Sequence, residues 1–275
     1  MADHNIWKHV KVDSESVKNN PYLNPVQPPT SPPIVEPSAS DKTTTAILGV
    51  YSTIEGNTYA NAVHELRDSL RSNPSQAHPI FISSNGAIFR PLTYKENIEA
   101  RINDFETKKN PDDTLRTADE LQKLFKVYLD SCTGIAYKAG TTKFKINPIC
   151  SELITIDKAF NETFKPIDYN SFQGVELDSA DDVYNSLLTK TQFLNHKGYK
   201  ALYDSDANLM NAYWNIIHSL TSQDELMGLR VRQNTKKDEL RALCGSSIGG
   251  DSGASGGSSL SNGARFLRVA PFAKK

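Results

Sequence analysis

The spacing of apolar positions changes character about halfway along this chain. In TYANAVHELRDSLRSN, Ala60, Val63, Leu66 and Leu70 recur at intervals of three and four. That spacing predicts an amphipathic helix. AILGVYSTI, from Ala46, is apolar and β-branched and reads as a first strand. HPIFISSNGAIFRPL reads as a hairpin around Asn85-Gly86, a pair that tolerates the positive φ both turn positions need. Two capping boxes follow, Thr93 with Glu96 and Thr117 with Glu120. In each, the threonine hydroxyl can accept from the third backbone N–H while the glutamate reaches back. The first opens a helix carrying Ile98, Ile102 and Phe105. The second opens one carrying Leu121, Leu124, Phe125 and Tyr128, and KKNPDD between them is a loop.

From residue 133 the period drops to two. TGIAYKAG, TKFKINP and CSELITID read as short strands, and residues 165–190 as an irregular acidic stretch. ANLMNAYWNIIHSL predicts a further helix with Leu209, Tyr213, Trp214, Ile217 and Leu220 on one side. In MGLRVRQ, Leu229 and Val231 face one way and Arg230 and Arg232 the other; TKKDE turns the chain and ELRALC returns it. Helices early and short strands late predict an α+β class, with no internal repeat.

Two segments break this patterning. Seven of the fourteen prolines fall between Pro21 and Pro37. Proline lacks an N–H and restricts the residue before it, so residues 1–45 read as a flexible Pro-rich arm and 46–275 as the body. The alternative is a strap packed over the body. The second segment is 245–263, GSSIGGDSGASGGSSLSNG, in which fourteen of nineteen residues are Gly or Ser. It lies between the strand-like ELRALC and ARFLRVAPF, so it has nothing to link. A loop of this length in a compact domain is uncommon unless it is functional or disordered.

The chain has 275 residues, 38% of them hydrophobic, and a net charge of −1. It lacks the basic footprint of a nucleic-acid binder, and no apolar run is long enough for a membrane span. MADHNIWKHVKVDSESV has no apolar core of a secretory leader, so synthesis in a cytoplasm is expected. Whether the protein then acts on a virion or a cell surface is left open. Cys132, Cys150 and Cys244 are widely spaced and read as single buried thiols. Glu176, Asp178, Asp181 and Asp182 lack the glycine turn and closing glutamate of a calcium loop, so they read as a solvated loop. His64-Glu65 opens no zinc motif, since Asp68 stands where a second histidine would be needed. No catalytic residue, metal site or cofactor is expected.

The ends of the Gly/Ser run carry a resemblance. Arg241 to Ser246, in ELRALCGSS, and Gly263 to Val269, in NGARFLRVAP, are similar to the segments that open and close the ligand-facing part of C-type-lectin-fold proteins. Within that fold the chain resembles variable proteins of diversity-generating retroelements, archaeal and phage-borne, in the formylglycine-generating-enzyme-like variant of the fold. In those systems template adenines are mutated, so AAC codons diversify at two positions. Gly, Ser, Asp, Ala, Ile, Leu and Asn are all reachable from AAC, and residues 245–263 contain no other type. The Glu-Pro-Asn, Gln-Pro-Asp and Trp-Asn-Asp calcium motifs of sugar-binding lectins do not occur; Trp214-Asn215 is followed by Ile216.

The resemblance implies a non-enzymatic recognition protein with a variable region at about 230–269. Its candidate surface is Ser246, Ser247, Gly249, Gly250, Asp251, Ser252, Gly253, Ser255, Gly256, Gly257, Ser258, Ser259, Ser261 and Asn262. The expected partner is a macromolecular or cell-surface ligand. Arg230 and Arg232 either join this surface or are solvated strand charges. Leu243, Phe266, Leu267 and Val269 are expected in the core. Two alternatives stand beside this reading. One is an enzyme of the formylglycine-generating type, which would need a cysteine pair. The other is a structural phage or surface component anchored to a larger assembly through the arm.

Overall fold

The computed structural model describes residues 52–72, 90–109, 115–245 and 253–268. The Pro-rich segment, the Asn85-Gly86 hairpin and Val269 lie outside the described residues. The architecture is α+β: a mixed sheet with helices on both faces and a separate terminal ribbon.

Two strands form the sheet's centre. β2 (Leu129–Tyr137) and β9 (Glu239–Gly245) pair antiparallel, with a register break between Asp130 and Gly134, and both are buried along their whole length. Covering both faces is what suppresses the polar–apolar alternation a half-exposed strand would show. β3 (Lys143–Asn147) pairs with β2, and β5 (Val175–Asp178) pairs with β3. The far edge of β9 is shared by two short strands. β4 (Lys165–Pro166) takes its start and β10 (Ala254–Ser255) its end. β10 in turn pairs in parallel with β8 (Leu229–Arg230).

One face of the sheet packs against five helices: α2 (Tyr94–Thr107), α3 (Ala118–Lys126), α5 (Lys190–Asn195), α6 (Lys197–Leu202) and α7 (Ala207–Thr221). Ile135, Tyr137 and Leu243 reach into this core, beside Ile98, Phe125, Phe193, Tyr213 and Trp214. The other face meets α1 (Tyr59–Ser72) and α4 (Ser151–Ile154). There Ala136, Leu240 and Ala242 join Val63, Leu66, Leu153 and Phe266. Both capping boxes at Thr93 and Thr117 form as expected. A third opens α5, where Thr189 caps and Gln192 reaches back.

β1 (Ser52–Gly56) and β11 (Ala264–Arg268) form an antiparallel ribbon that pairs the first described strand with the last, Ser52 opposite Arg268 and Gly56 opposite Ala264. Phe266 is fully buried and meets the Tyr59 ring edge-on at 5.3 Å. Leu243, Phe266 and Leu267 are all buried, as their apolar character required. A small ribbon of β6 (Leu188–Thr189) and β7 (Glu225–Leu226) completes the described strands.

Three expectations need correction. CSELITID is not a strand: Leu153 and Ile154 donate their backbone N–H groups to Cys150 O and begin α4. The sheet edge such a strand would need is filled by β5, from the stretch read as irregular. That stretch also supplies β4, β6 and the start of α5. Finally, β8 and β9 do not form a hairpin, because β10 lies between them.

Candidate functional site

The Gly/Ser run is not one loop. Ser246, Ser247, Gly249, Gly250, Asp251 and Ser252 lie outside the described residues. Gly253, Ser255 and Gly256 are buried, Ser255 within β10 and the two glycines on either side of it, against the expectation of an open surface. Gly257, Ser258, Ser259 and Ser261 are half-buried, and Asn262 is exposed. Leu260 is fully buried and anchors this stretch to the core under α1.

Two glycines show why part of the run is fixed. A Cβ on Gly256 would stand 2.5 Å from Tyr137 Oη and 2.8 Å from Ile135 Cγ2. One on Gly253 would fall on the carbonyl oxygen of Gly228. Neither space accepts a methyl group without movement of the sheet. At Gly257 the same atom would meet only Ser255 Oγ, at 3.8 Å, an ordinary contact.

The backbone of 254–260 is held from outside the run. Ala254 N–H donates to Gly228 O at 3.1 Å and Gly256 N–H to Arg230 O at 2.9 Å. Tyr137 Oη donates to Gly256 O at 3.0 Å. Arg241 Nη1 donates to Gly257 O at 3.3 Å and Ser258 O at 3.1 Å. Leu260 N–H donates to Thr163 O, and Tyr59 N–H to Leu260 O. These bonds satisfy backbone groups that would otherwise be costly to bury.

Arg241 is itself fixed by a buried ion pair. Its Nε and Nη2 meet the two oxygens of Glu239, at 3.0 and 3.4 Å, and its guanidinium sits over the Phe164 ring at 5.7 Å. Arg232 also reaches Glu239, at 2.9 Å. Arg232, just after β8, is thus an exposed charge tied to the scaffold, and Arg230 is exposed beside β10. The two-residue spacing of Glu239 and Arg241 on one strand puts both on one face, the available sequence signal for this pair. The sequence reading took up Arg241 only through the lectin-fold resemblance.

Cys244 adjoins this stretch, with Sγ 3.1 Å from Ser258 Oγ, 3.2 Å from Ser255 O and 3.3 Å from Tyr128 Oη. Burial pushes its thiol up to about 12, so it stays protonated and a poor nucleophile at neutral pH. Cys132 is pushed to about 12 by the same cause, and Cys150 is raised further. All three cysteines are buried and free. Among the described residues no cluster of three or more His, Cys, Asp or Glu side chains could hold a metal ion, and no helix is long and apolar enough to cross a membrane.

Beside the run lies a cleft of about 170 Å³ that sequence reasoning missed. Its walls are Tyr59, Tyr128, Asp130, Ala242, Leu260 and Ala264, and its rim includes Ser258, Ser259 and Asn262. Asp130 is 8% exposed, and burial pushes its carboxyl up to about 6 despite a hydrogen bond from Arg265 N–H at 2.8 Å. Its only sequence signal is a lone carboxylate at the mouth of an apolar strand, in VYLDSC.

No protein-family model matches this chain, and no curated protein matches it. A solved structure, described as the accommodation of massive sequence variation in Nanoarchaeota by the C-type lectin fold, superposes with a TM-score of 0.52. The match covers 80% of this chain and 97% of that one at 13% identity. With the helices and curled mixed sheet, it establishes the fold of this chain as the C-type lectin fold.

Proposed function

We propose that this chain is a non-enzymatic recognition protein that displays a diversifiable binding surface on its lectin-fold scaffold, as a variable protein of a diversity-generating retroelement. The observation that carries the reading is the division inside the Gly/Ser run. The backbone of 254–260 is held by Gly228, Arg230, Tyr137, Arg241, Thr163 and Tyr59. The side chains of Ser259, Ser261 and Asn262 are outside the core and bond at most locally, as in Ser259 Oγ to Ser261 Oγ at 2.8 Å, while Ser258 Oγ also meets Cys244 Sγ at 3.1 Å. A site held in this way can exchange side chains, and so ligands, without unfolding.

The proposed surface is Gly257, Ser258, Ser259, Ser261 and Asn262, extended by Ser246, Ser247, Gly249, Gly250, Asp251 and Ser252. Gly253, Ser255 and Gly256 are left out because they are buried. The ligand is a macromolecule or cell-surface component, met without metal or cofactor. The Pro-rich arm serves as a tether to a larger assembly. The similarity to a solved structure described by its massive sequence variation supports this reading at the level of fold. The formylglycine-generating alternative would need a reactive cysteine pair; Cys132 and Cys150 are neighbours, Cys150 N–H donating to Cys132 O at 3.0 Å, but burial raises all three thiols, which disfavours it.

The DNA around the gene tests the proposal. A near-copy of the segment encoding about 230–270, differing at adenines and beside a reverse transcriptase gene, is expected. Differences should cluster at the codons of the proposed surface and spare Gly253 and Gly256. A locus with neither a near-copy nor a reverse transcriptase would overturn the retroelement assignment.

A further inference from the structure

The cleft beside the run has a fixed floor and an exchangeable rim, and the floor has a charge of its own. Asp130 Oδ2 accepts from Arg265 N–H, and among the described residues Oδ1 has no hydrogen-bond partner. The carboxylate lines the cleft with the Tyr59 and Tyr128 rings, while Ala242, Leu260 and Ala264 make the remaining wall apolar. Tyr59 cannot donate to Asp130, because its hydroxyl is given to Ser131 O at 2.8 Å. A carboxylate that lines a cleft and has one protein donor among the described residues has a small cation with N–H groups as its complement.

We propose that this cleft is a binding site for a primary ammonium group, held by Asp130 and flanked by the Tyr59 and Tyr128 rings. The cleft of about 170 Å³ has room for an alkylammonium head. The ammonium belongs to a free amine or to a lysine side chain. Ser258, Ser259 and Asn262 stand at the rim, so exchanges there would tune what is attached to the ammonium without touching the charge that binds it. Only this last point rests on the recognition reading.

Among the described residues the groups facing Asp130 are few. They are Arg265 of β11, whose guanidinium pairs with Glu55 of β1 at 2.6 Å, Tyr59 of α1, Cys244 of β9 and Tyr128 ahead of β2. Tyr59 is raised well above the ordinary phenol range, mainly by burial, and the Cys244 thiol is also raised. Asp130 is therefore the group among them that titrates between pH 5 and 8.

Amide NMR of the full chain tests the site, with ethylammonium chloride titrated against sodium chloride of equal ionic strength and, separately, Nα-acetyl-lysine methylamide. Saturable shifts around residues 130, 242 and 264 are expected with both amines. Asp130→Asn should lose at least about tenfold in affinity, because its amide oxygen can still accept from Arg265 N–H but carries no charge. In the unaltered protein the affinity should fall about tenfold from pH 8 to pH 5, as the carboxylate is protonated. This readout stands even if the variant does not fold. Tighter binding of the lysine amide would assign the cleft to a protein ligand, and tighter binding of ethylammonium to a free amine. Shifts matched by sodium chloride, unchanged affinity in Asp130→Asn or affinity independent of pH would overturn the proposal. A near-copy in the DNA with no amine binding would remove the cleft site and leave the recognition reading intact.

Discussion

Gly253–Gly256 and Gly257–Asn262 are neighbours of nearly the same composition, yet their roles in the fold are opposite. The first stretch is built around the two-residue strand β10. It lies between β8 and β9, and its glycines are filled from outside by Tyr137, Ile135 and Gly228. The second is a surface held by its backbone, with one buried anchor in Leu260. Composition reports that both are small and polar. Only the neighbours decide whether smallness is a packing requirement or spare room. A scaffold that must survive side-chain exchange needs both: fixed small residues where strands close up, and main-chain anchoring where side chains change.

Substitutions should separate the two stretches, and the frame around them sets the scale. Phe266→Ala should cost about 3–5 kcal/mol in denaturant unfolding, since a fully buried ring packed on Tyr59 is removed. Arg241→Met should cost about 3 kcal/mol, because it leaves Glu239 buried with only the half-exposed Arg232, and two carbonyls of the run without their donor. Gly256→Ala should cost about 1–3 kcal/mol, as the methyl group collides with Tyr137 and Ile135. Equal stability of Gly256→Ala and Gly257→Ala would break the comparison.

Asp130→Asn should act in the opposite direction. The folded-state carboxyl is raised to about 6, above its unfolded value, so the native state binds the extra proton. Stability from this group is greatest at low pH and is lost as pH rises through about 6. The asparagine variant should therefore gain about 1–2 kcal/mol over the original at pH 7.5 and little at pH 4. A loss at pH 7.5 would show that the charge stabilises the fold. The smallest effects belong to the second stretch: Ser259→Tyr and Asn262→Tyr should each stay within about 0.5 kcal/mol.

Much of the frame could be read from the chain. Helix α1 followed from Ala60, Val63, Leu66 and Leu70, and both capping boxes from their spacing. The burial of Leu243, Phe266 and Leu267 followed from apolar residues flanking a polar run. What failed was pairing. CSELITID looked like a strand, but β5 occupies the edge it would have needed, and local alternation does not encode which edge is free. The same gap hid β10, because two residues of small side chain carry no strand signal and are made a strand by β8 and β9. Within the candidate surface the burial of Gly253, Ser255 and Gly256 was therefore missed, while Gly257, Ser258, Ser259, Ser261 and Asn262 are half-buried or exposed. The cleft was not legible at all, since Tyr59, Asp130, Ala242 and Ala264 converge from four separate segments.

Two libraries measure the central claim directly. In one, Gly257, Ser258, Ser259, Ser261 and Asn262 are randomised; in the other, Gly253, Ser255 and Gly256. Protease resistance and melting temperature are scored for each variant. The account predicts that most members of the first library keep the parental melting temperature within a few degrees, while most of the second do not fold. Equal survival in the two libraries, or broad collapse of the first, would contradict it.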